Sequence, residues 1–295
     1  RDRVSFLDLA PYKDISEVHL AEPDAREFIL AAMQRAIPWS EVEAEETKRA
    51  RDEAWSQAAY LLKSPRILDL VADLLESRGV VGTRKHVKLY YLVLTSRVLP
   101  RPISAVVKGP SSAGKSFPIE ETANLFPPTA YLQFSSMSNK ALIYGEEPLS
   151  HRTLIIAEAA GAENEELSYL IRTLLSEGRI VHEVTEKRDD GQYKTRRIER
   201  EGPTGLITTT TSPSLHAENE TRMLSIPVAD DQDQTRAIFR AQASPSAAEI
   251  DYQPWHALQA WIALAEHRVQ IPFAMALADL VPPVAVRLRR DFGLL

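Results

Sequence analysis

Residues 109–116 read Gly-Pro-Ser-Ser-Ala-Gly-Lys-Ser, which meets the spacing GxxxxGK[ST] at every position. No other feature constrains the fold as tightly, because this loop works between an apolar strand and the start of a helix. Both are in place: Ser104-Ala-Val-Val107 precedes the loop, and a helical stretch over 117–125 follows it. The glycines let the backbone curl round a phosphate chain so that its N–H groups point inward. Lys115 brings positive charge to the β- and γ-phosphates, and Ser116 offers its hydroxyl to Mg²⁺. The helix behind turns the positive end of its dipole to the same anion. A chance match is expected in roughly one chain in a hundred of this length. The octet therefore implies a bound nucleotide, ATP or a close analogue, held by Gly109, Pro110, Ser111, Ser112, Ala113, Gly114, Lys115 and Ser116.

Around this loop the chain changes rhythm twice. Up to about residue 100 it reads as helical. Ser40 with Glu43 makes a capping box, Ser64-Pro65 opens a helix whose face is Ile67, Leu68, Val71, Leu74 and Leu75, and Thr83 opens another that Pro100 ends. From Ile103 onward, apolar segments at 104–107, 130–134, 154–157, 205–208 and 223–228 alternate with helical stretches or loops, which predicts an α/β fold with a parallel sheet. After Asp231 the pattern is helical again. Three regions are expected: a helical collar over 1–100, the sheet-based core over 101–230 with a hairpin at 179–200, and a truncated helical lid over 231–295.

Composition narrows the classes further. Hydrophobic residues make up 44% and charged residues 26%, the balance of an ordinary globular protein. No apolar run reaches the roughly 18 residues a membrane-spanning helix needs, so no membrane partner is expected. The absence of cysteine removes disulfides, thiolate catalysis and cysteine-bound zinc, and fits a cytoplasmic setting. A net charge of −6 argues against a surface that is basic all over, while leaving room for one local basic element. The start at Arg1-Asp2-Arg3 and the end at Leu294-Leu295 suggest a piece of a longer protein.

The parts behind the loop come in a definite order. Arg152-Thr-Leu-Ile-Ile-Ala157-Glu158 is an apolar strand delivering an acid to the sheet edge where ligands bind. A helix over 165–176 shows Leu167, Leu170, Ile171, Leu174 and Leu175 at helical spacing, and Gly178 ends it. Two strand-like runs, 179–186 and 193–200, flank Asp189-Asp190-Gly191, a strong hairpin signal. The returning arm carries Lys194, Arg196, Arg197 and Arg200 against Glu199.

This series resembles AAA+ ATPases of the branch with a hairpin ahead of sensor 1, which includes the minichromosome maintenance helicases. From Leu61 onward the chain is also similar to the helicase-like ATPase part of phage- and plasmid-type bacterial DNA primase proteins. That likeness rests on the 109–116 loop, Ile155-Ile-Ala-Glu-Ala159, Ser176-Glu-Gly178, Glu201-Gly-Pro203 with the threonine run, and Gln234-Thr-Arg236. The resemblance implies an AAA+ core hydrolysing ATP with Mg²⁺. Lys115, Glu158 and Arg222 would be catalytic, Glu158 polarising the attacking water and Arg222 reaching a neighbouring copy's γ-phosphate. Ser116 and Glu158 would serve the metal, Thr210 or Thr211 would act as sensor 1, and Arg287, near Arg289 and Arg290, as sensor 2. The hairpin would line a pore and track single- or double-stranded DNA through Lys187, Arg188, Lys194, Arg196 and Arg197, in a ring expected to be hexameric and joined to a primase module. One departure stands out: such proteins carry Asp before the Glu, and here that position is Ala157.

Two rival functions remain at this point. Ile143-Tyr144-Gly145 sits where protein unfoldases of this class place a pore loop, which would make the chain a protein-remodelling unfoldase or assembly switch. The missing Asp instead favours a structural module that binds nucleotide and barely turns it over.

Overall fold

Asp14 and Asp24 each accept a backbone N–H three residues on, at 2.9 Å from Glu17 and 3.0 Å from Glu27, and so start helices α1 (Ile15–Ala21) and α2 (Ala25–Gln34). The computed structural model in which they stand describes residues 4–157, 165–187, 192–212, 220–228, 232–243 and 249–282. Two compact units emerge, Arg1–Gln57 and Ala58–Leu295. In the first, β1 (Ser5–Phe6) pairs antiparallel with β2 (Ile37–Pro38), and α3 (Trp39–Leu62) begins at once. The Trp39 N–H donates to the Val4 carbonyl at 2.8 Å, so the residue just ahead of β1 satisfies a first-turn donor. Ser40 therefore lies inside the helix and the predicted capping box is not what starts it.

In the second unit, α4 (Ile67–Ser77) starts two residues beyond the predicted Pro65, after Arg66, while the Ser64 hydroxyl accepts the Arg66 N–H at 3.3 Å. Helix α5 (Arg84–Thr95) continues as a short 3-10 turn to Val98. Five strands follow: β3 (Ala105–Lys108), β4 (Tyr131–Phe134), β5 (Arg152–Ile156), β8 (Thr204–Thr210) and β9 (Leu224–Pro227). They form one sheet in the order β4-β5-β8-β3-β9, with every neighbouring pair parallel. The strand that carries the 109–116 loop thus has β8 on one side and β9 on the other, and β8 separates it from β5. All seven residues of β8 are buried, the pattern of a strand covered on both faces.

Pleat alternation sorts the core into two layers. Ala105, Val107, Ile155 and Ile207 face a cluster with Leu61, Leu75, Leu94, Ile119 and Trp255, from α3, α4, α5, the loop's own helix α6 (Ser116–Ala123) and the helix Gln253–Leu264. Val106, Leu154, Ile156 and Leu206 face Leu142 and Ile143 of α7 (Asn139–Tyr144) and Leu167, Leu170 and Leu174 of α8 (Glu165–Glu177). Each fully buried leucine contributes about 1.5–3 kcal/mol. Between β5 and β8 the chain makes the predicted hairpin, β6 (Arg179–Lys187) with β7 (Tyr193–Glu201), in antiparallel register from Arg179↔Glu201 to Lys187↔Tyr193.

A buried cation joins α5 to the helix Gln253–Leu264. Arg97, 4% exposed, donates to Gln259 Oε1 at 2.7 Å and to the Leu94 carbonyl at 3.3 Å. Its guanidinium also lies 5.3 Å from the centre of the Phe126 ring. Burial lowers its pKa to about 10. The Gln259 amide in turn donates to Tyr91 Oη at 2.9 Å and Thr95 Oγ1 at 3.1 Å, so its carbonyl is fixed towards the arginine. Among the described residues no helix is long and apolar enough to cross a membrane.

Candidate functional site

The 109–116 loop sits at the C-terminal edge of the sheet, where β3 stops and α6 starts. Its first N–H, from Gly109, donates to the Thr210 carbonyl at 3.2 Å, so the end of β8 braces the loop. Gly114 has φ +69° and Lys115, next to it, is right-handed at φ −66°. Successive residues of opposite hand aim neighbouring N–H groups into one concavity, the geometry of an anion nest. A side chain at 114 would be strained at that φ, while the place of its missing Cβ has no atom within 4 Å. Lys115 Nζ donates to the Gly109 carbonyl at 2.8 Å and the Pro110 carbonyl at 2.5 Å, which holds its charge over the mouth of the loop. N–H nest, ammonium and open glycine together fit a phosphate chain. Ser116, first residue of α6, fits a metal-ligating hydroxyl there.

Thr210 ends strand β8 against this loop, and Thr211 follows it. Thr210 pairs with Lys108 in register and is buried at 6% exposure; its Oγ1 accepts the Ser212 N–H at 3.1 Å. Thr211 is exposed. The next strand over, β5, ends at Ile156, and Ala157 follows at the same edge with its N–H donated to the Phe134 carbonyl at 3.1 Å. A methyl group thus stands at the strand-end position where the resemblance implies a carboxylate. Glu158, Arg188 and Arg287 lie outside the described residues.

Arg222 stands just ahead of β9 and its Nε donates to Ser176 Oγ at 2.6 Å, near the end of α8. Two residues earlier, Glu220 is ion-paired with Lys108, each side chain 17% exposed. Sequence reading overlooked this pair. Lys108 ends an otherwise apolar strand, a signal that could have marked it, but nothing local points to Glu220 as its partner. The short stretch 220–222 therefore touches both the residue before the phosphate loop and the helix that leads to the hairpin.

The hairpin is held at its base. Ile180 is fully buried, Ile198 packs on the same cluster, and Arg200 Nη2 donates to the Glu147 carbonyl at 2.5 Å. Burial pushes the Arg200 guanidinium below its usual range. At the neck, the Gly202 N–H donates to the Gly178 carbonyl at 2.7 Å, and a Cβ on Gly202 would come within 2.6 Å of that oxygen, so only glycine fits. Further out, Lys194, Arg196 and Arg197 are exposed. Register sets Glu186 opposite Lys194 and Glu183 opposite Arg197, and Arg197 is also 3.5 Å from Glu199. Lys187 closes the ladder opposite Tyr193. The other arm thus brings the Glu183 carboxylate against the basic surplus counted along β7.

The loop, its nest and the parallel sheet that carries them define a P-loop nucleotide-binding domain of the NTPase class. The chain belongs to the family described as the MTBMA_p00010 P-loop domain, whose model matches residues 53–267. No curated protein matches the sequence.

Proposed function

We propose that this chain is the motor core of an ATP-driven DNA helicase or translocase, an AAA+ ATPase that works as a ring in the replication protein of a mobile element. The observation that carries the proposal is a hairpin inserted between β5 and β8, neighbouring strands of which β8 braces the phosphate loop. The strand order supports it too. With β8 between the loop strand β3 and β5, the hairpin and the sensor strand are consecutive in sequence and joined at the Gly178–Gly202 neck. Movement at the nucleotide edge then reaches the hairpin through β8 and α8.

In this scheme Lys115 and the loop N–H groups hold the β- and γ-phosphates of ATP, and Ser116 with Glu158 would hold Mg²⁺, which would neutralise charge on the phosphates. Glu158 orients water, Thr210 reports the phosphate state, Arg287 closes from the lid and Arg222 serves the neighbouring copy. Lys187, Arg188, Lys194, Arg196 and Arg197 face the DNA. The decisive experiment is ATP turnover by the assembled protein with and without single-stranded and duplex DNA. Stimulation by DNA is the expected result; turnover indifferent to both DNA forms but raised by unfolded protein overturns the proposal. In the unfoldase alternative Tyr144 would be the presented residue, being exposed at the end of α7, while Ile143 beside it is packed in the core.

A second reading has its own observation. Ala157 removes a metal-facing carboxylate, which favours a nucleotide-binding module with slow turnover. Equal and negligible single-turnover rates in the intact protein and in Glu158→Gln would establish that reading in place of the motor.

A further inference from the structure

We infer that the hairpin takes nucleic acid as a single strand, with Tyr193 as the platform on which an unpaired base stacks. The inference rests on the proposed DNA-facing hairpin and narrows its ligand. Tyr193 opens β7 and is 73% exposed. Along β7, Ile198 packs on the core and Arg200 bonds back to Glu147, so the even-numbered residues face the body of the unit. By alternation Tyr193, Thr195 and Arg197 share the opposite face. The ring therefore adds nothing to the core, and a strand needs no aromatic there: threonine, used at 185 and 195, suits β-structure as well.

The surroundings of the ring fit a base and its backbone. Thr185 and Thr195, the next register pair on that face, are short and uncharged. Arg197 lies four residues along the strand, about 14 Å away at 3.4 Å per residue. Lys194 and Arg196 alternate on the other face of a ribbon only two strands wide. Charge alone is a weak grip here, since Arg197 is paired with Glu199 and faces Glu183 across the ladder. Stacking supplies an attraction that those carboxylates do not cancel. Only an unpaired base has a free π-face to offer; in a duplex the faces are spent on neighbouring bases. The chemical class of ligand is thus a single-stranded nucleic acid, bound through base face and phosphate together.

Fluorescence anisotropy on the assembled full chain tests this with three probes of equal length: a single strand, the same strand made abasic, and its duplex. The intact protein is expected to prefer the base-bearing strand over the abasic one by about 5- to 100-fold, the worth of one or two stacked bases. Tyr193→Phe keeps that preference. Tyr193→Ala brings the ratio to about one without changing the salt dependence, because no phosphate contact is lost. The double variant Lys194→Ala with Arg196→Ala weakens all three probes and flattens the salt dependence. If Tyr193→Ala retains the full preference, or the intact protein binds duplex as tightly as single strand, the stacking inference is overturned while the DNA-facing hairpin stands. If neither the tyrosine nor the cation variant alters binding of any probe, the hairpin reading fails, and this inference with it.

Discussion

Arg222 Nε and Ser176 Oγ are 2.6 Å apart, so the residue that leads into β9 is tied to the helix that ends at the hairpin neck. In the proposed ring the same guanidinium serves a neighbouring copy's phosphate. Both roles draw on one side chain, and they separate experimentally. Arg222→Ala is expected to slow turnover by about a thousandfold, the scale of a lost arginine finger. Ser176→Ala removes one exposed hydrogen bond and should change turnover by less than about tenfold. Steady-state ATPase measurements on both variants check this; equal, small effects would mean that Arg222 acts only within its own chain.

Ala157 invites a gain-of-function test. The strand edge already fixes its backbone through the Phe134 carbonyl, so a carboxylate introduced there starts from a defined position. Ala157→Asp should lower the Mg²⁺ concentration for half-maximal turnover by about tenfold, the usual weight of a group acting on a metal through its coordination shell. A Mg²⁺ titration of both proteins gives the answer.

Arg97 depends on Gln259. Among the described residues the guanidinium has no acidic partner, and the amide oxygen at 2.7 Å is the nearest of the acceptors it donates to there. Gln259→Leu keeps the volume and removes the acceptor, which should cost about 2–3 kcal/mol of stability, as for a buried charged group deprived of a hydrogen bond. Urea unfolding of the two proteins measures the difference. Nucleotide affinity should stay unchanged.

Alkaline pH should destabilise the second unit through its buried phenols. Burial raises the Tyr90 pKa above its ordinary value of 10.0. Below pH 10 the phenol is neutral in both folded and unfolded chains and adds no pH dependence. Above it the unfolded chain ionises first, so stability falls as pH rises. Tyr90→Phe should flatten that fall, as read from thermal melts between pH 8 and pH 11.

The sequence made some of this structure plain and hid the rest for identifiable reasons. The loop, the five strands and the hairpin were legible because each is a local pattern: fixed spacing, a short apolar run, or Asp-Gly between two β-forming arms. Strand limits moved by at most two residues, and some, such as the end of β4 at Phe134 and the starts of β6 and β7, did not move. Helix starts were less legible. Ser40 and Pro65 are good start signals, but the Val4 carbonyl satisfied the first donor of α3, and α4 began only after Arg66. The site was legible where one motif holds it and obscure where distant residues meet. Lys108 and Glu220 are 112 residues apart in the chain, Arg97 and Gln259 162, and no local pattern predicts either pairing. The charge of the hairpin shows the same limit. Counted along β7 alone it is clearly basic, and only the register reveals which carboxylates stand opposite.

The neck between Gly178 and Gly202 has a consequence for how such a domain can vary. One hydrogen bond closes the base where α8 hands over to the hairpin and the hairpin to β8, and Ile180, Ile198 and Arg200 just past it are the last residues that anchor the ribbon to the core. Residues can be added or removed in facing pairs at the far end while the strand order behind stays untouched. The outer hairpin is in this sense a tool on a fixed handle, whose reach and chemistry can change without altering the strands that carry the phosphate loop.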